Sequence, residues 1–359
     1  MQPANLIPTP DTIPAPVWLF QVLGILTFTL HILAMNIVLG GTLIILYNRL
    51  FKKSHSSTGQ LDAPIVANLP IAFAWTINLG VAPLLFVQVI YGTLIYTSSV
   101  LMAVYWILVI PLLILAYYGA YIHAKNHSKS PGLASIAIAV TSLILLYIAF
   151  TYVNNFTLML QPSRWLSHLN NANGTILNVS DPTFLPRYLH FLVAAIAVGG
   201  LFLATVWWFR ARKNVPDADL KVKKGLLIFG IATALQLVIG FWFLLALPRE
   251  FILAFMGGNT FYTVTLMFGI LMSIGAIISA LIGKLVPTLA HLIITVAAMS
   301  ITRDNLRSLY LDNFFQPSSL QMVPQYSVLA LFLFIFVIGL AVVFYMLKIA
   351  YQTSERRAA

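Results

Sequence analysis

The chain has 359 residues, of which 60% are hydrophobic and 8% charged, and its mean hydropathy is +0.93. So few charges cannot keep that much apolar surface in water, which excludes a soluble domain. Cysteine is absent, which excludes disulfides, thiolate metal sites and covalent cofactor attachment through a Cys-x-x-Cys-His motif. The net charge of +11 does not indicate nucleic acid, because the basic residues fall in short connections between apolar runs and not on one soluble face.

In chain order, the first segment, MQPANLIPTPDTIPAP, is rich in proline and lacks the basic start of a cleavable signal, so it is expected to be retained. Apolar runs follow at 17–48, 67–96, 100–122, 133–158, 186–209, 225–247, 259–283, 286–302 and 325–348. Each reaches or approaches the roughly 20 residues that cross a hydrocarbon layer. The expectation is an all-α, polytopic bundle of about nine transmembrane helices, forming one transmembrane domain over 1–359. Fifteen of the twenty basic residues, beginning with Arg49, Lys52, Lys53, Lys125 and Lys129, lie on alternate connections. The other five, Arg164, Arg187, Arg249, Arg303 and Arg307, are assigned to the opposite face. The positive-inside rule then puts the N-terminus outside and the C-terminus in the cytoplasm, in a cell's inner membrane.

The longest connection, at about 158–185, is rich in Asn and Ser and is expected to be ordered by packing on helix ends. Its Asn173-Gly-Thr and Asn178-Val-Ser triplets match glycosylation sequons, a pattern common by chance. An internal echo links TLHILAMNIVLGGTL at 29–43 to YLHFLVAAIAVGGLF at 188–202, each with a His followed nine residues later by Gly-Gly. Either two helices share a role, or the glycines serve close packing and the His match is coincidence.

All nine acidic residues are assigned to loops or helix ends. Without a carboxylate at mid-membrane, proton-pumping and hydrolytic readings lose ground. What remains is His and Met chemistry. An ionisable residue inside a span is a functional candidate by default, and His190 lies about 4 residues, or ~6 Å, below the outer start of the fifth run. Met267 lies about 8 residues, or ~12 Å, below the outer start of the seventh, a depth from which it can face His190, although methionines in so apolar a chain mostly serve packing. His31 falls in the outer half and His291 near the inner end, which makes them poor partners. His55, His123, His127 and His168 read as solvated loop or interface residues. Arg187, three residues before His190, is either an interface anchor or a partner for an acidic group of a bound cofactor.

The order of LHILAMNIVLGGTL, FAWTINLGVAPLLFVQVIYGTLIYTSS, YVNNFTLMLQP, RYLHFLVAAIAVGGLFLATVWWFR and FYTVTLMFGILM, with the final helix and basic tail, resembles subunit I of the cytochrome bd quinol oxidases. The resemblance runs through nearly the whole chain. It implies a haem b site with His190 and Met267 as axial ligands, a haem propionate as the partner of Arg187, and His31 serving further haem, the number of haems being one, two or three. It also implies a second membrane subunit, membrane quinol as a partner, and an outer-face partner such as a cytochrome c.

Three departures stand against the full family activity. LPREFILAFMGGN replaces the family's long quinol-binding loop. The acidic residues of the family's third and eighth helices have no counterpart in LMAVYWILVIPLLILAYYGAY or LAHLIITVAAMSITRDN. The family's arginine two residues before the Met ligand is Thr265 here. The expected role is therefore an electron-transfer subunit carrying haem b, with a complete oxygen reductase and a non-redox structural subunit as the alternatives.

Overall fold

The computed structural model describes residues 9–51, 61–169 and 171–358. The expectations for the first eight residues, for Lys52 and Lys53 and for His55 lie outside them, as does that for the His168 side chain. Among the described residues the chain is 83% helical with no strands, and nine helices are long and apolar enough to span a membrane. They are α1 (Val17–Phe51), α2 (Ala63–Leu101), α3 (Ala103–Asn126), α4 (Pro131–Met159), α5 (Phe184–Ala211), α6 (Ala218–Leu245), α8 (Thr260–Leu281), α9 (Leu285–Leu311) and α10 (Tyr326–Ala358). A short α7 (Arg249–Leu253) and a π-helical turn (Ala254–Gly258) join α6 to α8. The protein is an all-α, multi-pass membrane protein.

Local sequence explains the helix boundaries. Pro131 opens α4 and Pro64 lies in the first turn of α2, where no backbone N–H is needed. Prolines 70 and 83 lie inside α2, which breaks again at Tyr91 (φ −118, ψ 29). The eighth span overturns one expectation, because α9 runs to Leu311 and not to 302. Arg303, Asp304 and Arg307 are thus helical residues and not part of an outer loop. Arg307 closes a 2.8 Å ion pair with Asp304 one turn away, which lets the helix continue through its charges.

Cross-contacts define two ends. At the upper end, where α1, α5 and α8 begin, Ile13 N–H donates to Gln321 O at 2.9 Å and Ile176 N–H to Leu101 O at 3.0 Å. The 158–185 connection packs there as expected: Trp165 Nε1 donates to Leu158 O at 2.9 Å and Asn178 N–H to Asn154 Oδ1 at 3.0 Å. At the lower end Trp207 Nε1 donates to Leu61 O at 2.7 Å, and Arg49 donates to His127 Nδ1. Burial raises the Asp62 carboxyl above the ordinary aspartate range, opposed first by Asn48. Burial, with Arg49 beside it, lowers the His127 imidazole. His123 is not solvated: it is fully buried, and its Nδ1 donates to Ala134 O at 2.7 Å.

The echoed glycines meet at the crossing of α1 and α5. A Cβ on Gly199 would lie 2.8 Å from Gly40 C and 2.9 Å from Gly41 N, and one on Gly40 would collide with the Ala195 carbonyl oxygen. Only bare backbone permits this approach, the small-residue packing expected between membrane helices. Because His31 and His190 each precede their pair by nine residues, both imidazoles sit about 13 Å along their helices from one crossing point. In contrast, none of the α10 span is buried within the chain.

Candidate functional site

Two adjoining cavities open in the upper half of the bundle. The larger, about 400 Å³, lies among α1, α2, α4 and the upper part of α9 and is lined by His31. The smaller, about 250 Å³, lies among α5, α6, α8 and α9 and is lined by His190. Six residues line both, namely Phe28, Ile32, Arg187, Phe191, Ser300 and Arg303. The larger volume falls within the roughly 300–1,000 Å³ of small-molecule sites and the smaller just below it.

Each imidazole is seated against a glycine of the next helix. A Cβ on Gly80 would lie 2.7 Å from His31 Cε1, and one on Gly240 would lie 3.3 Å from His190 Cε1. The rings are held differently. His31 Nδ1 donates to the Thr76 carbonyl at 3.2 Å, which leaves its Nε2 with a free lone pair, the arrangement second-shell partners impose on metal-binding histidines. His190 Nε2 lies 3.2 Å from Gln236 Nε2, and its buried Nδ1 has no hydrogen-bond partner.

The cations at the upper end are the least expected feature. Arg187 is 9% exposed; it meets Thr183 Oγ1 at 3.4 Å, the Tyr310 hydroxyl and the Phe243 ring at 4.8 Å, the Asp181 carboxylate lies near enough to attract it, and its Nε has no partner. Arg303 stacks over the Phe28 and Phe156 rings at 4.4 and 5.0 Å. Neither guanidinium has an ion-pair partner among the described residues, whereas Arg307 has Asp304. Arg187 is buried and Arg303 half-buried, and Asp181 and Asp304, which attract them without closing an ion pair, offset their desolvation only in part, so an anion would stabilise both. Both line both cavities, so the upper end of this site fits a ligand with acidic groups. Because arginine's planar fork matches carboxylates, carboxylic acid is the chemistry it fits best.

The walls below that level are largely apolar, with the two imidazoles and a few neutral polar side chains such as Asn36, Thr233 and Gln236 set among them. His190 is three residues from Arg187 and His31 three residues from Phe28, so each ring sits one helical turn, ~4.5 Å, from the guanidinium level. The arrangement fits a largely apolar ligand with acid groups at its upper edge and a metal that accepts a nitrogen donor. Among the described residues no group of three or more His, Cys, Asp or Glu could hold a metal ion, so a metal here depends on a donor set that the bound group itself completes.

The structure brings His31, His190 and Arg187 to this site but not Met267. That side chain is 40% exposed, beside Val264, Phe268 and Leu271, which are exposed as well. The residues of α8 at the smaller cavity are Leu266, Ile270, Ser273 and Ala276. The expectation that Met267 faces His190 thus has the depth but not the side of the helix. Arg303, Gln236 and the glycines opposite the imidazoles were missed by sequence reasoning. Arg303 follows the eighth apolar run and reads from the sequence as an outer-face residue, and a glycine opposite a ring carries no signal until the helices are paired. No family model matches this chain, and neither a curated protein nor a solved structure does.

Proposed function

We propose that the chain is a haem b-binding, electron-transferring subunit of a cytochrome bd-like complex in a cell's inner membrane. It would exchange electrons between membrane quinol and an outer-face or bound partner, alongside a second membrane subunit. The observation that supports this reading is the pair of guanidinia that close no ion pair among the described residues, Arg187 buried and Arg303 half-buried, set one turn above an imidazole in a largely apolar cavity. Haem has the matching chemistry: propionates for the arginines, an apolar macrocycle for the walls and iron for a neutral imidazole. Once bound, it supplies one-electron redox chemistry.

The residues of this chain do the rest. Arg187 and Arg303 bind and orient the acid edge, and the aromatic walls exclude water. Gln236 holds the His190 ring in the smaller cavity, while His31 offers a second nitrogen donor in the larger one for a further haem. The reduced-minus-oxidised spectrum of the purified chain tests this directly. A b-type band is expected, and a spectrum without one overturns the reading. A non-redox structural role is the second reading, favoured by the position of Met267 away from the cavity.

A further inference from the structure

With Met267 facing outward, the smaller cavity still holds one thioether. Met299, on α9, lines it together with His190. Met299 is four residues from Arg303 and His190 is three from Arg187. Since both arginines line the same cavity, thioether and imidazole each lie one turn, ~6 and ~4.5 Å along their helices, from the guanidinium level. Their helices approach the cavity from different sides, α5 with α6 and α9 with α8.

The packing around Met299 matches that around His190. A Cβ on Gly269 of α8 would collide with the Met299 methyl carbon and lie 3.5 Å from its sulfur. The α8 backbone is therefore bare where Met299 sits, as Gly240 of α6 is bare where the His190 ring sits. Met299 also belongs to the stripe of α9 that faces the cavity, with Leu292, Thr295, Thr302 and Leu306, at the three- and four-residue spacing of one helix face. Methionine often only fills space in a core. Here, though, it is the one thioether lining a cavity that also holds an imidazole.

We propose that Met299, and not Met267, is the thioether ligand paired with His190. This rests on the haem reading above and concerns only the sixth position of that site. A His–Met pair favours the reduced iron and raises the reduction potential relative to two imidazoles.

The test is the optical and magnetic spectrum of the full-length chain in detergent, with its midpoint potential, for the wild type, Met299→Leu, Met299→His and Met267→Leu. Leucine is close to methionine in volume, so a residue that only packs would leave spin state and potential unmoved. Met299→Leu is expected to retain haem while converting the low-spin signal to high spin and lowering the potential. Met299→His is expected to remain low spin at a lower potential than the wild type, which a misfolded variant does not do. Met267→Leu is expected to match the wild type. A wild-type chain without a b-type band removes the haem reading and this assignment together. A low-spin band that survives Met299→Leu unchanged removes the assignment alone, whether or not Met267→Leu alters it.

Discussion

In the larger cavity the imidazole is steered by a backbone carbonyl, that of Thr76, whereas in the smaller one it meets a side-chain amide, that of Gln236. A carbonyl built into α2 can only accept, so His31 keeps its proton on Nδ1 and its lone pair on Nε2. The amide of Gln236 presents a donor or, after a half-turn, an acceptor, so His190 can hold either tautomer. With the nitrogen of Gln236 donating, the proton sits on an Nδ1 that has no acceptor, a state costing about 1–3 kcal/mol. With the oxygen accepting from Nε2–H, Nδ1 carries the lone pair instead. The two cavities share a crossing point, a pair of arginines and a glycine seat, but one ring is preset and the other adjustable. Similar sequence placed both imidazoles, and the neighbouring helix decided what each one presents.

The strongest way to break this comparison is to separate the helices that create both cavities. Gly40→Ala drives a methyl into the Ala195 carbonyl, and overpacking of this kind costs about 1–3 kcal/mol, with a rigid backbone acceptor placing it at the upper end. The unfolding free energy in mixed detergent should fall by that amount, and the midpoint with it. Gly24→Ala, whose new Cβ would lie 3.4 Å from Phe86 Cβ, should leave it unmoved. Equal midpoints for the two variants would remove the crossing as the common support of the cavities.

The next prediction separates the cavities. His190→Ala should abolish the low-spin b-type band, while His31→Ala should leave that band intact and reduce haem content only if a further haem is held there. Pyridine haemochrome quantitation beside the difference spectra reads both. The reverse pattern would exchange the roles of the two sites.

The smallest expected effect sharpens the comparison at the arginines. Arg187→Gln should lower the midpoint potential of the His190 site, because a lost positive charge no longer favours the more electron-rich iron. The expected size is on the order of 1–2 kcal/mol of redox free energy for a charge in a partly screened interior. Arg187→Lys should recover part of it. A potential that does not move under Arg187→Gln would reduce that residue to an interface anchor.

Much of this architecture was legible in the residues. Nine hydrophobic runs locate nine helices because the hydrocarbon layer demands length and apolarity and little else. The Gly-Gly echo was legible with close packing as one of its two readings, but that the two pairs meet each other shows only in the structure. Azimuth was the missing quantity. Counting residues from a helix end measures depth, whereas each residue also turns the side chain by about 100°, so Met267 and Leu266 share a depth and face different surroundings. The small residues of α8, Gly269, Ser273, Ala276 and Ala280, are buried and mark its inward stripe, which could have assigned Leu266 and not Met267 to the interior. The end of α9 is hidden in the sequence for another reason. A run of Arg, Asp and Asn ends a hydropathy signal, but a helix continues through charges when its neighbours supply partners or a polar cavity, as Asp304 does for Arg307.

The wall common to the two cavities has a consequence for any measurement made on either. Arg187 and Arg303 face both spaces, so an acid group that settles in one withdraws positive potential from the other. By thermodynamic linkage the penalty is mutual: whatever the first occupant costs the second, the second costs the first. The affinity of each cavity for an anionic ligand is therefore not one constant but two, one with its neighbour filled and one with it empty.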